Sequence, residues 1–326
     1  MPRPELTVDE PLVRRLLASL PEHLGHLRDQ PVSPVAQGWD NAVWLVGAED
    51  TSDTAQRYAV RVPVRAVATP LIDTAARWSA EAFRPVAEAG IRLPRPVHRG
   101  TLPQHPSTPV PQPGNYQVVA HPWPWVLVEW VPGVTLDQVP VADRGPVGAA
   151  LAEVLPRLHR TAPPDAPLNP ARGTSLRDRR RFTARHLPEA ETFLGRSTVE
   201  DLLAVIDAAE AAVPWPGSPV WCHGDLHDLN LALDGTTLGI LDLDDLTSGD
   251  PAVDLRALWI CLDGPTRAEA TGRLEASGAY DVGIWERARG WAASSFVLPI
   301  AADKGSRPRF APALAHTVDQ LLGGSR

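Results

Sequence analysis

One change in the hydrophobic pattern, at Pro132-Gly133, constrains the fold of this 326-residue chain more than any other feature. Before it lie short runs rich in β-branched residues, at 32–36, 42–46 and 58–62. The turn Gln37-Gly38-Trp39-Asp40-Asn41 separates the first two, and the polar stretch 47–57 separates the second from the third. Three such runs in succession predict an antiparallel meander. Asp73 is placed to cap a helix over 74–89, which Gly90 ends and Pro85 kinks or breaks. Pro94 and Pro96 flank an extended segment, the proline-rich 101–115 reads as an exposed loop, and 116–120 and 126–129 read as two further strands. An N-terminal helix is expected over 12–27. After Gly133 the pattern is mainly helical: helices at 145–159 and 199–213, a proline-rich linker at 162–173, and helical periodicity from Ala252 to Leu322. Short β segments interrupt it at 220–222 and 238–241. The expected fold is α+β and bilobal, with a small β-rich lobe over residues 1–131 and a larger, mostly helical lobe over 132–326.

The chemistry concentrates in the second lobe. Trp221-Cys222-His223-Gly224-Asp225-Leu226-His227-Asp228-Leu229-Asn230 is followed, after a short hairpin, by Gly239-Ile240-Leu241-Asp242. An aspartate, an asparagine five residues on, and a second aspartate after an apolar strand are what phosphoryl transfer needs. One carboxylate must stand beside the acceptor hydroxyl, and an amide oxygen and a second carboxylate must converge on the metal that bridges the nucleotide phosphates. Asp225 is the candidate catalytic residue. Asn230 and Asp242 are the candidate ligands of Mg2+, which prefers such hard oxygens. His223, Asp225 and His227 also spell a string that a metal-dependent hydrolase could use, which stands as a rival reading.

Charge and composition narrow the partners. A formal net charge of −8 opposes nucleic acid, which requires a basic footprint. No apolar run approaches the roughly 18 residues of a membrane span. Residues 1–10 lack the apolar core of a secretory leader, and a cytoplasmic location is expected. Cys222 and Cys261 sit in apolar stretches, as buried thiols rather than a disulfide. The only lysine is Lys304, so phosphate binding falls to arginine or to main-chain N–H groups. Asp228, Asp244 and Asp245 near the site suit a cationic, amine-bearing acceptor, although salt-bridged or solvated carboxylates would look the same in sequence.

The strings 223–230 and Gly239-Ile240-Leu241-Asp242-Leu243-Asp244, with Gly249-Asp250-Pro251-Ala252-Val253-Asp254-Leu255, resemble the aminoglycoside phosphotransferase family, whose relatives act on macrolides, choline-like alcohols and sugars. The resemblance covers about 32–262. It implies a protein-kinase-like fold with ATP or GTP bound between the lobes, and transfer of the γ-phosphoryl group to a hydroxyl of a small molecule, an aminoglycoside or other antibiotic first among them. It places Gly38 in the nucleotide-positioning loop and Arg61 where the strand lysine contacts the phosphates. Glu81 becomes the ion-pair partner of Arg61, and Glu129 and Val131 the hinge at the nucleobase edge. Gly224 stands where regulated protein kinases carry an arginine, and no Ala-Pro-Glu signal follows, so a small-molecule kinase is expected. A kinase-fold protein that binds nucleotide without catalysis is the other rival.

Overall fold

A computed structural model describes residues 4–48, 57–102, 108–112, 115–121 and 123–323; most of the predicted 47–57 loop, part of the 101–115 stretch and residues 1–3 and 324–326 lie outside them. The first lobe contains α1 (Glu10–Ala18), β1 (Val32–Gln37), β2 (Asn41–Val46), β3 (Tyr58–Pro63), α2 (Thr69–Ala82), α3 (Arg84–Glu88) and β4 (Pro96–Thr101). β5 (Thr108–Gln112), β6 (Asn115–His121) and β7 (Pro124–Glu129) follow. Five strands form one antiparallel sheet in the order β1-β2-β3-β7-β4.

Strand alternation decides what each face does. Val60 and Val62 of β3, with Trp125 and Leu127 of β7, share a core with Leu12, Val13, Leu16 and Leu17 of α1. The opposite face carries Ala59, Val126 and Val128, which pack on Ile72 of α2. Arg61 belongs to that second face, and the alternation turns its side chain toward the cleft between the lobes.

Several expectations are corrected. The predicted 12–27 helix is two pieces: α1 is capped by Asp9, whose side chain accepts from Leu12 N at 2.9 Å, and stops before Pro21, after which a 3-10 turn runs Glu22–Leu27. The helix placed at 74–89 starts at Thr69, with proline in its first turn. Asp73 therefore lies inside it and pairs with Arg99 at 2.6 Å instead of capping. The predicted break occurs, between α2 and α3. A proline at position 85 cannot donate to the carbonyl four residues back, and Glu81 O accepts from Arg160 instead. The extended segment flanked by prolines is β4, an edge strand of the main sheet, where proline is tolerated. The 101–115 stretch contains β5, which pairs with β6 in a separate hairpin, so the strand predicted at 116–120 is outside the main sheet.

Beyond Gly133 come β8 (Val134–Thr135), α4 (Gly145–Leu158), α5 (Leu176–Ala184), α6 (Leu187–Leu194), α7 (Arg196–Ala211), β9 (Val220–Cys222), β10 (Leu231–Asp234), β11 (Thr237–Ile240) and β12 (Thr247–Gly249). Then follow α8 (Ala252–Leu255), α9 (Ala257–Cys261), α10 (Gly264–Ala276), α11 (Ile284–Ala292), α12 (Leu298–Ala302) and α13 (Arg307–Leu322), with a π-helical turn at Ala293–Val297. One large apolar core serves these helices and also takes Ala75, Ala82 and Phe83 from the first lobe. The molecule is thus α+β and bilobal, as expected. Main-chain bonds at Arg92, whose N–H donates to Leu238 O (3.0 Å) and whose O accepts from Ile240 N (2.9 Å), tie the lobes at the back. No helix among the described residues is long and apolar enough to cross a membrane.

Candidate active site

The buried strand β9 delivers the chain to His223, and the loop 223–230 lies over the β10–β11 hairpin. His223 is fully buried and fastens the two parts. Its Nδ1 accepts from Asp225 N (3.1 Å), so the proton sits on Nε2, which donates to Leu241 O at 2.8 Å. Leu241 N in turn donates to Asn230 O at 2.9 Å. Both sides of Leu241 are therefore tied to the loop, and the next residue, Asp242, is delivered beside Asn230. Asp242 has φ +52°, a left-handed conformation rare for a side chain other than glycine or asparagine. Both nitrogens of His223 serve the main chain, which removes it as a metal ligand and counts against the hydrolase reading.

Asn230 Nδ2 donates to Asp225 O at 2.9 Å, which turns its amide oxygen to the other side, available as a ligand. Asp254, wholly buried, accepts from His223 N and Gly224 N, each at 2.7 Å, and faces His159 Nε2 at 3.2 Å. Burial would raise this carboxyl, but the His159 ring and the main-chain donors hold it below the usual range. Gly224 has φ +87°, and a Cβ there would collide with Asp245 O. The glycine is required by the turn and by the close approach of the neighbouring chain.

Two arginines that sequence reasoning missed converge on Asp225. Arg172 Nη2 lies 2.7 Å and Arg256 Nη2 2.5 Å from Asp225 Oδ1. Burial would push the carboxyl up; Arg172, the His227 ring and Arg256 outweigh it and hold it well below the usual carboxylate range. Arg256 follows the Asp254-Leu255 string directly, a signal one residue past the motif; Arg172 comes from the 162–173 linker and carries no local signal. His227 stands between Asp225 Oδ2 (3.6 Å) and Asp228 Oδ1 (3.5 Å). Burial disfavours the charged ring, but these carboxylates push it up to about 9. In the neutral ring Leu229 N donates to His227 Nδ1. In the charged ring, the form favoured at neutral pH, Nδ1 carries a proton and turns instead to Asp228 Oδ1, which otherwise has no hydrogen-bond partner among the described residues.

The sheet lobe closes on this site through Arg61. Its Nη1 and Nη2 grip Asp244 at 3.0 and 2.9 Å, and Nη2 also donates to Asp242 Oδ1 at 2.6 Å. Burial opposes its charge, yet Asp244 and Asp242 raise the guanidinium further. The expected Arg61–Glu81 pair is absent: Glu81 is exposed on α2, whose buried face carries Ile72, Ala75, Ser79 and Ala82. Gly38 N donates to Asn41 O at 2.8 Å in the β1–β2 turn. Asn41 Nδ2 reaches Asp244 at 2.7 Å, and Trp39 Nε1 reaches Ser306 Oγ at 2.7 Å, so this turn spans the cleft. Glu129 ends β7 with its carboxylate on Arg95 (2.7 Å) and its N–H on Arg95 O; Trp130 N donates to Arg57 O. The main chain at Val131 is the next in line, with its side chain buried over Gly239.

A phosphotransferase enzyme family model, APH, matches residues 31–291. The chain belongs to the APH phosphotransferase family. The phosphotransferase also resembles solved aminoglycoside phosphotransferases in fold. The crystal structure of APH(4)-Ia aligns with a TM-score of 0.58 at 15% identity, covering 98% of this chain and 100% of that one. The gentamicin complex of APH(2")-IIa aligns at 0.55 and 14% identity, covering 97% of each chain. A ternary complex of a thermostable APH(4)-Ia mutant with AMP-PNP and hygromycin B gives 0.55 and 15%, covering 90% and 94%. No curated protein matches the sequence.

Proposed function

We propose that this phosphotransferase moves the γ-phosphoryl group of ATP or GTP, presented with Mg2+, to a hydroxyl of a small molecule. The observation that supports the reading is the double tether of Leu241, to His223 and to Asn230, which with the Asn230–Asp225 bond keeps the residue before Asp242 on the loop that carries Asp225 and Asn230. The donor set fits magnesium. Asp242 is 46% exposed at its side chain, and the amide oxygen of Asn230 faces away from Asp225 O. These two residues would hold the ion, which when bound neutralises charge on the transferring group.

The remaining roles fall to other side chains of this site. Asp225 receives and orients the acceptor hydroxyl. Clamped by two arginines it is a weak base, which suits a loose transition state in which positioning matters more than early proton removal. Arg61 is the phosphate-binding cation. It would leave Asp242 and Asp244 for the α- and β-phosphates, where its planar fork can bind two oxygens at once. The Gly38 turn covers the phosphates, and Val131 meets the base edge, with Glu129 shaping the strand end before it. The aminoglycosides named for the similar structures make that class the first acceptor to try.

The test is transfer of labelled γ-phosphate from ATP and GTP with Mg2+ to aminoglycosides, macrolides, amino alcohols and hydroxy acids, with Asp225→Asn as the control. Transfer abolished by Asp225→Asn supports the reading. Failure to bind magnesium-nucleotide at all would sink it.

A further inference from the structure

The acids that suggested a cationic acceptor all have internal partners. Asp244 is held by Arg61 and Asn41, and Asp245 by Asn169 Nδ2 at 2.7 Å with Arg172 Nε at 3.7 Å. Asp228 is 3% exposed and lies against His227. Asp40 pairs with Arg65 at 2.9 Å, and Asp225 already carries two guanidinium groups. An ammonium group entering here would have to share each carboxylate with a partner already in place, and at Asp244 it would have to break a buried pair, which costs several kcal/mol.

The cations are not matched in the same way. Arg179, on α5, is 6% exposed. Its Nη1 donates to Ala171 O at 2.5 Å and its guanidinium lies 5.6 Å from the Trp291 ring centre. It makes no ion pair among the described residues, and its Nε has no hydrogen-bond partner there. Arg256 Nε and Arg172 Nε also lack hydrogen bonds, although Arg172 Nε faces Asp245 at long range. Arg179 is pushed down to about 9, first by burial and then by the like charges of Arg172 and Arg256. A guanidinium does not give up its proton at neutral pH. The unfavourable energy therefore persists as a buried charge that an anion would relieve.

We infer that Arg179, with the outward edge of Arg172, binds an oxyanion of the acceptor, so that the substrate is a hydroxyl compound bearing a carboxylate or phosphate rather than a polyamine. The inference rests on the kinase reading above for the position of the acceptor hydroxyl at Asp225. Arg172 touches both Asp225 and Asp245 and is 15% exposed at its side chain, so it forms the open edge of the cluster. Guanidinium groups match carboxylate and phosphate geometry through paired N–H donors.

The test is calorimetric titration of the full chain, with and without Mg·AMP-PNP, using glycerate and lactate, their neutral amides, and kanamycin. The acids should bind roughly tenfold or more tighter than their amides, as expected for one charge-assisted contact pair. Arg179→Gln should remove that difference and leave Mg·AMP-PNP binding unchanged, while Arg179→Lys should keep part of it. Melting curves of both variants show whether they are folded. Kanamycin binding in preference to the acids, anion binding unchanged in Arg179→Gln, or no acid binding at millimolar concentration would overturn the inference. Weakened Mg·AMP-PNP binding in a folded Arg179→Gln protein would overturn it too, assigning the arginines to the nucleotide. Loss of nucleotide binding in the native chain would instead strike the kinase reading, with the anion preference still measured in the nucleotide-free titration.

Discussion

At the scale of single residues, Asp225 and Asp254 separate catalysis from support. In the proposed role Asp225→Asn removes the charge that orients the acceptor hydroxyl, and turnover should fall about a hundredfold or more, the usual scale for such a group. It also strips Arg172 and Arg256 of their shared counter-ion, so a urea titration should show lower stability in the same variant. Asp254 acts through the loop instead. Its folded pKa lies below the ordinary value of 3.8, so its contribution is fully present above that value and is lost as pH falls through the lower folded value. Asp254→Asn should cost about 3 kcal/mol at neutral pH, the scale for breaking a buried pair. The gap from the native protein should narrow when denaturation is repeated in acid. An equal gap at all pH values would mean that charge is not what Asp254 supplies.

Among elements, the turn at Gly224 makes a sharp comparison with the β10–β11 turn at Gly235. Both glycines have positive φ, +87° and +60°, but an added Cβ strikes Asp245 O at the first and nothing within 4 Å at the second. Gly235→Ala should cost about 1 kcal/mol from backbone strain alone, with activity retained. Gly224→Ala should cost more, by about 1–3 kcal/mol, and should lower kcat because Asp225 shifts with the turn. Denaturation and kinetics on the pair would separate strain from displacement. The same elements show what was legible in sequence. The strand runs, the change at Gly133 and the spacing of Asp225, Asn230 and Asp242 were readable, because period and local spacing are properties of neighbouring residues. Arg172 was not, because it reaches Asp225 from a linker far back along the chain. The start of α2 was misplaced by five residues because Asp73 has the chemistry of a cap, and only the fold shows that Arg99 claims it. Glu81 faces solvent because α2 buries the face of Ile72, Ala75, Ser79 and Ala82.

For the whole molecule, α2 joins what would otherwise be two cores, giving Ile72 to the sheet and Ala75 and Ala82 to the helical lobe. Calorimetry should therefore show one cooperative transition with equal calorimetric and van't Hoff enthalpies; two resolved transitions would show that the lobes unfold separately. At the front the lobes meet through Arg61, whose grip on Asp242 and Asp244 would have to be released for it to take the phosphates as proposed. On the proposed magnesium site, the ion alone would have to displace that internal cation, so it should bind far more weakly than its nucleotide complex; equal affinities in a metal titration would contradict this. The use of arginine at that position reaches into chemical biology. Acylating nucleotide probes report kinases by marking an ε-amino group beside the phosphates, and a guanidinium is too weak a nucleophile to react. Arg61 would leave no mark, and the single ε-amino group of the chain is at Lys304. In a proteome surveyed with such reagents, any mark on this phosphotransferase would have to fall on Lys304, two residues from the Ser306 that meets the turn at Trp39.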